Sequence, residues 1–126
     1  MDMPVHIMNA FGNVAQAELK LGDGAAARRS ASETLQLAHS FGALPDVLWA
    51  VFLHGQIMAE TGEKARGLLL FGLARAHPAL EYQVMQEINE EIARQGLPPE
   101  EVEAGLAAGA ALDLETVVGE ILEGKW

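Results

Sequence analysis

The sequence predicts an all-α protein that forms one domain, and three observations lead to this fold class. Alternating apolar and polar residues, which mark half-buried strands, are never sustained along the chain. Alanine, leucine, glutamate and glutamine, which favour helices, dominate instead. The chain has 126 residues, of which 50% are hydrophobic, so it suits one buried core and is too short for two domains.

Four helices are predicted in the first part of the chain. Gly22 ends the first helix, and Asp23 can cap the second because its carboxylate accepts bonds from the free amides of the next turn. Pro45 begins the third helix, since its fixed φ suits a first helical turn, and Gly62 ends it. Pro78 stops the fourth. The predicted spans are about 5–21, 24–39, 45–60 and 63–76.

Apolar residues at helical spacing assign a side to each of these helices. The third helix is apolar on nearly all sides between Val47 and Met58, so it is predicted to be the most buried helix. The second helix has a predicted buried stripe, and five residues of the first helix fall on one side. These residues are Ala27, Ala31, Leu35 and Ala38 in the second helix, and Ile7, Phe11, Val14, Glu18 and Leu21 in the first.

Three further helices are predicted in residues 79–126. The fifth covers about 79–94 and carries Ile88 and Ile92 at helical spacing. Pro99 lies in the first turn of the sixth helix, which is rich in alanine and glycine and therefore allows a neighbouring backbone to approach closely. Asp113 is placed to cap the seventh, over about 114–122.

The negative charge is concentrated in the same segment. The net charge is −10, and residues 79–126 hold eleven acidic residues against the two bases Arg94 and Lys125. This balance argues against nucleic-acid binding. The acidic residues are predicted to form solvated helix faces; the alternative is an acidic surface that meets a basic partner.

No pattern typical of a catalytic or metal site occurs. The absence of cysteine and of a secretory signal pattern predicts a cytoplasmic protein, and the longest apolar runs are too short to cross a membrane. No glycine-rich phosphate-binding string is present, and no two histidines have a metal-binding spacing. His54, on the most apolar helix, is predicted to be a buried core histidine. We therefore predict no catalytic residue, no cofactor and no metal.

The chain contains an internal repeat. Leu35, Ala38 and His39 recur as Leu73, Ala76 and His77, and Gly22 recurs as Gly62. Small residues accompany this echo, because two helices approach closely only where side chains are small. At these residues the sequence resembles the tetratricopeptide repeat, in which a small residue of the first helix packs against an alanine of the second. The matching residues are Ala15, Gly22, Asp23 and Ala27, then Gly55, Gly62, Glu63 and Ala65.

A second resemblance covers the tail. The run from Arg75 to Leu122 is similar to the end of large bacterial regulators that join a nucleotide-binding switch to a superhelix of such repeats. The matching strings are Ala76-His77-Pro78-Ala79, Gly96-Leu97-Pro98-Pro99-Glu100 and Ala111-Leu112-Asp113-Leu114-Glu115.

Together the resemblances imply a short right-handed α-solenoid. Its first hairpin would span residues 1–42, its second 43–78, and capping helices 79–126 would cover the open end. The implied function is a protein–protein interaction scaffold, the C-terminal part of a bacterial transcriptional or signalling regulator, with a protein or upstream domains as partner. The positions expected to face that partner are Asn9, Gln16, Lys20, Trp49, Phe52 and Gln56.

Two other functions remain open at this point. One is assembly, in which the exposed end of the helical stack forms a homodimer. The other is a small helical enzyme that uses carboxylates such as Glu18 or Glu60 together with His54. A dimer in solution favours the first alternative, and a convergent polar pocket favours the second.

Overall fold

The protein is all-α, as predicted. The computed structural model describes residues 3–126, with side chains from residue 7 onwards, and this part of the chain contains no strand. The fifth helix begins three residues later than predicted, because the His77 Nδ1 atom accepts the backbone N–H of Ala79 at 3.1 Å and holds that segment in a turn. The helices are α1 (Met3–Lys20), α2 (Gly24–Ser40), α3 (Leu44–Glu60), α4 (Lys64–Arg75), α5 (Tyr82–Gln95), α6 (Pro99–Ala110) and α7 (Leu114–Leu122).

Short turns join the first four helices. Three residues separate each helix from the next, so neighbouring helices run antiparallel. Gly22 and Gly62 follow α1 and α3 with φ angles of 84° and 102°, a region that favours glycine. The Asp23 carboxylate caps α2, accepting the Ala26 N–H at 3.0 Å as predicted. The two glycines therefore end equivalent helices in two hairpins.

The core lies along α2, α3 and α4. α2 packs between α1 and α3, while α4 packs against α3 and α6. The four alanine and leucine positions predicted as the buried stripe of α2 are fully buried. α3 buries side chains on nearly all sides, with eleven buried residues. Both predictions are confirmed.

Glycine sets the close crossing of α3 and α4. A Cβ atom added at Gly67 would lie 2.6 Å from the carbonyl oxygen of Gly55, so the two backbones touch. Gly67 stands 40 residues after Ala27, just as Gly55 stands 40 residues after Ala15. The second hairpin therefore keeps the spacing of the first through its turn. Ala65, predicted as the counterpart of Ala27, is exposed, and that assignment is wrong because Gly67 occupies the crossing.

Glycines also allow α6 to lie directly on α4. A Cβ atom added at Gly109 would overlap the carbonyl oxygen of Leu69, and one added at Gly72 would overlap the carbonyl oxygen of Leu106. The glycine-rich composition of α6 thus serves close packing against α4. This accounts for a helix whose own sequence gives it weak intrinsic stability.

The last helix returns to the side of the stack. α7 packs against α2, burying Val117, Val118 and Ile121. The terminal pair was expected to cover the open end together; only α6 lies against the end helix pair, and α7 covers α2. After α7, the Trp126 carbonyl oxygen accepts a hydrogen bond from Arg28 Nη1 at 3.0 Å, which fixes the tail to α2.

The apolar side of α1 faces away from the core. Met8, Gly12 and Ala15 point inward, whereas Val14 and Leu21 are 47% and 85% exposed. Small inward residues let α1 approach its neighbours closely, so the larger apolar residues remain on the outer surface. The outer stripe of α1 comprises Ile7, Phe11, Val14, Glu18 and Leu21.

Candidate functional site

Two adjoining cavities form a groove on one side of the molecule. Their volumes are about 520 and 340 Å³, and Gln16 and Glu87 line both of them. The lining residues come from α1, α3 and α5 and from Glu81, which precedes α5. These are the first helices of the two hairpins and the helix that follows them. We refer to these two cavities together as the groove.

The six residues predicted to face a partner all line the groove. On α1 they recur every three to four residues, which places them on one side of the helix. On α3 the same periodicity aligns them toward α1. Asn9, Gln16 and Trp49 line the larger cavity, and Gln16, Lys20, Phe52 and Gln56 line the smaller one.

Two of these side chains are aromatic and differ in accessibility. Phe52 is only 1% exposed and packs on Phe71 with 5.8 Å between ring centroids. The prediction that Phe52 is exposed to a partner is therefore wrong, because the side chain belongs to the core beneath the groove. Trp49 is half-buried, and its ring lies against Gly12, where an added Cβ would overlap it. Trp49 thus joins α3 to α1 and keeps an edge in the groove.

A chain of side-chain hydrogen bonds leads from the groove to a buried carboxylate. Gln16 Nε2 donates to Gln56 Oε1 at 3.5 Å, and Gln56 Nε2 donates to Glu91 Oε1 at 3.0 Å. Arg94 and Gln95 also donate to Glu91, which is fully buried. Burial alone would raise the pKa of Glu91, but these hydrogen bonds outweigh it and lower the pKa.

Glu91 is the functional candidate that the sequence analysis missed. It was grouped with Glu87 and Glu90 as part of a solvated face. The available signal was its position three residues after Ile88, on the buried side of α5. A carboxylate there must be paired, and Arg94, one turn later, supplies the partner.

Burial perturbs several acids of the groove. Burial raises the pKa of Asp46, and the nearby charge of Glu81 adds to the effect. Burial also raises the pKa of Glu87, although a hydrogen bond with Gln16 opposes it. For Glu60 the first cause is again burial. These carboxylates lie where water solvates them incompletely, so a cation placed among them would be favoured.

The groove is therefore negatively charged. Among its lining residues the only bases are Lys20 and Arg94, and Arg94 already pairs with buried Glu91. Five carboxylates have no such neutralising partner of their own within the lining set. They are Asp46, Glu60, Glu81, Glu87 and Glu90.

The residues of the enzyme hypothesis do not share one cavity. Glu60 lines the groove, while His54 lines a separate cavity on the opposite side of α3. The Glu18 carboxylate accepts the Ser30 hydroxyl at 2.6 Å. Within residues 3–126 no three histidine or acidic side chains are grouped so that they could hold a metal ion. Nor does any helix in that range combine the length and apolar composition needed for a membrane crossing.

No protein-family model, curated protein or solved structure matches this chain significantly. Its geometry and chemistry must therefore indicate what it does.

Proposed function

We propose that this chain is a protein–protein interaction scaffold and not an enzyme, and that its groove receives a segment of a partner protein. The observation that carries this proposal is the arrangement of α1, α3 and α5. Each presents polar side chains to the same groove while its other residues pack into the core. A long open groove with polar walls suits an extended chain better than a small substrate, which needs an enclosed and mostly apolar pocket.

We further propose a tetratricopeptide-like, short right-handed solenoid. Gly22 and Gly62 in equivalent turns support it, and so do the small residues Gly55 and Gly67 at the crossing of the second hairpin. On the resemblance of the tail, we place the chain at the C-terminal end of a bacterial transcriptional or signalling regulator. Its partner would then be another protein or the upstream domains, and a cytoplasmic location stays a prediction.

The chemistry of the groove defines the partner segment. Asn9, Asn13 and Gln16 carry amides that both donate and accept, and such side chains can pair with the backbone of an extended peptide. The unpaired carboxylates of the groove accept hydrogen bonds from lysine or arginine. We therefore propose that the partner segment is extended and carries several basic residues.

Reversing charge inside the groove should weaken binding of a basic peptide by about tenfold or more. The test uses a short peptide of alternating lysine and leucine, with a glutamate-and-leucine peptide as the acidic probe. Isothermal titration calorimetry compares wild type with the double variant Glu81→Lys, Glu87→Lys. The matched control, Glu100→Lys with Glu103→Lys, makes the same change of charge on the exposed surface of α6.

Equal weakening by both double variants would contradict a specific groove, because it would show that only net charge matters. Equal affinity for the basic and acidic peptides would contradict the proposed partner chemistry. The binding of the basic peptide should also fall as ionic strength rises.

The outer stripe of α1 favours a second candidate function, self-association. Ile7 and Leu21 lie seven residues on either side of Val14, and all three are exposed. An antiparallel copy centred on Val14 would place each Ile7 beside the Leu21 of its partner. Such a self-complementary stripe meets the requirement of a two-fold interface.

Val14→Glu should dissociate such a dimer, because it would bury two unpaired carboxylates beside each other. Light scattering after size-exclusion chromatography measures the mass. Gln36→Glu, which adds the same charge on the exposed side of α2, should leave the dimer intact. A wild-type protein that stays monomeric throughout the concentration range would eliminate this second function.

A further inference from the structure

A second cavity lies on the side of α3 that faces away from the groove. It has a volume of about 130 Å³, and α2, α3, α7 and the tail contribute to its walls. Met58, Ile121 and Trp126 give it an apolar surface, and Ser32 and His54 give it polar atoms. We refer to this cavity as the His54 pocket.

His54 has an unsatisfied hydrogen-bonding atom at this pocket. The side chain is 5% exposed, and its Nε2 atom is buried without a hydrogen-bond partner. A hydrogen bond to the backbone of Ala31 holds the other side of the ring. Because Ala31 offers its carbonyl oxygen, the proton of the neutral imidazole lies on Nδ1 and Nε2 is left as an acceptor.

The surroundings keep the imidazole neutral. Burial lowers the pKa of His54 to about 4, and the positive charge of Arg28 contributes to the decrease. At neutral pH Nε2 therefore carries a lone pair and no proton. An unpaired acceptor in an apolar setting attracts a hydrogen-bond donor.

The tail wall of the pocket is held in a fixed position. Arg28 Nη1 donates to the Trp126 carbonyl oxygen, and the Trp126 indole N–H donates to Glu120, each at 3.0 Å. The Arg66 guanidinium lies 5.1 Å from the centre of the indole ring, a favourable cation–π distance. These contacts preform the pocket and reduce the entropic cost of binding there.

We propose that the His54 pocket binds a small neutral molecule that joins an apolar body to one O–H or N–H donor. Its size supports this class of ligand, since an apolar cavity of about 150 Å³ accommodates benzene. The donor would reach Nε2 of His54 after a small movement of the ring, and the body would lie against Met58, Ile121 and Trp126. Phenol is the simplest probe of this class.

Titration of the protein with phenol, followed by ¹H–¹⁵N spectra, tests the proposal. We expect saturable shifts of the Trp126 indole and of the Ser32 amide, and at least about tenfold weaker binding of benzene, which has no donor. His54→Leu should remove the preference for phenol over benzene. Ser32→Leu, which fills the pocket from α2, should block both ligands, and His39→Leu at an exposed histidine serves as the matched control.

Several outcomes would overturn the proposal. Absence of saturable shifts would mean that the pocket holds water only. Equal affinity for phenol and benzene in the wild type would mean that His54 plays no part in recognition. Unchanged binding of phenol to Ser32→Leu would place the ligand elsewhere, and this second variant decides the matter even if His54→Leu fails to fold.

Discussion

Gly109→Ala is expected to lower the free energy of unfolding by about 2 kcal/mol, although alanine is the better helix former. The new methyl group would overlap the carbonyl oxygen of Leu69, and a backbone atom cannot move aside as a flexible side chain can. α6 must then shift away from α4. The steric cost exceeds the gain of about 1 kcal/mol in helix propensity.

Gly119→Ala is the matched control for this prediction. Gly119 lies within α7, and an added Cβ meets nothing within 4 Å. The substitution should therefore raise stability by up to about 1 kcal/mol, since only the propensity changes. Urea unfolding followed by circular dichroism measures both variants. If Gly109→Ala proved as stable as Gly119→Ala, the close packing of α6 on α4 would be wrong.

His54→Leu is expected to make the stability of the protein less sensitive to acid. The pKa of His54 is 6.5 in the unfolded chain and about 4 in the folded protein. Between these values the unfolded state binds the proton and the folded state does not, so stability falls as the pH falls. From pH 7 to pH 5 the wild type should lose about 2 kcal/mol more than the variant.

The titration of several carboxylates overlaps this range, so the comparison between variants isolates the histidine. His39→Gln removes an exposed histidine and should keep nearly the full loss seen in the wild type. Urea unfolding at each pH gives the free energies. Parallel pH profiles for wild type and His54→Leu would show that His54 is not buried in its neutral form.

Local signals in the sequence predicted the helices well. Glycines after α1 and α3 and the carboxylate cap at Asp23 act over a few residues, so they can be recognised without knowledge of distant contacts. The crossing of α3 and α4 was assigned to Ala65 instead of Gly67, because the 38-residue echo suggested a shorter turn. The echo arises further along, since α4 ends at Arg75 while α2 continues to Ser40.

The groove was predicted more successfully than the burial of individual residues. Helical periodicity placed Gln16 and Gln56 on facing sides of α1 and α3. Periodicity alone does not distinguish a residue at the groove surface from one beneath it, and for this reason Phe52 was misassigned. Glu91 was missed because its burial depends on Arg94 and on Gln56 of another helix. Tertiary pairing of this kind has no local signature.

The two tryptophans offer the most direct test of the central claim, that the groove binds the partner. Trp49 lines the groove and Trp126 lines the His54 pocket on the other side of α3. Their indole N–H resonances can be followed together while the basic peptide is added. We predict a saturable shift of the Trp49 resonance while that of Trp126 stays in place. A shift of Trp126 with an unchanged Trp49 would contradict the account.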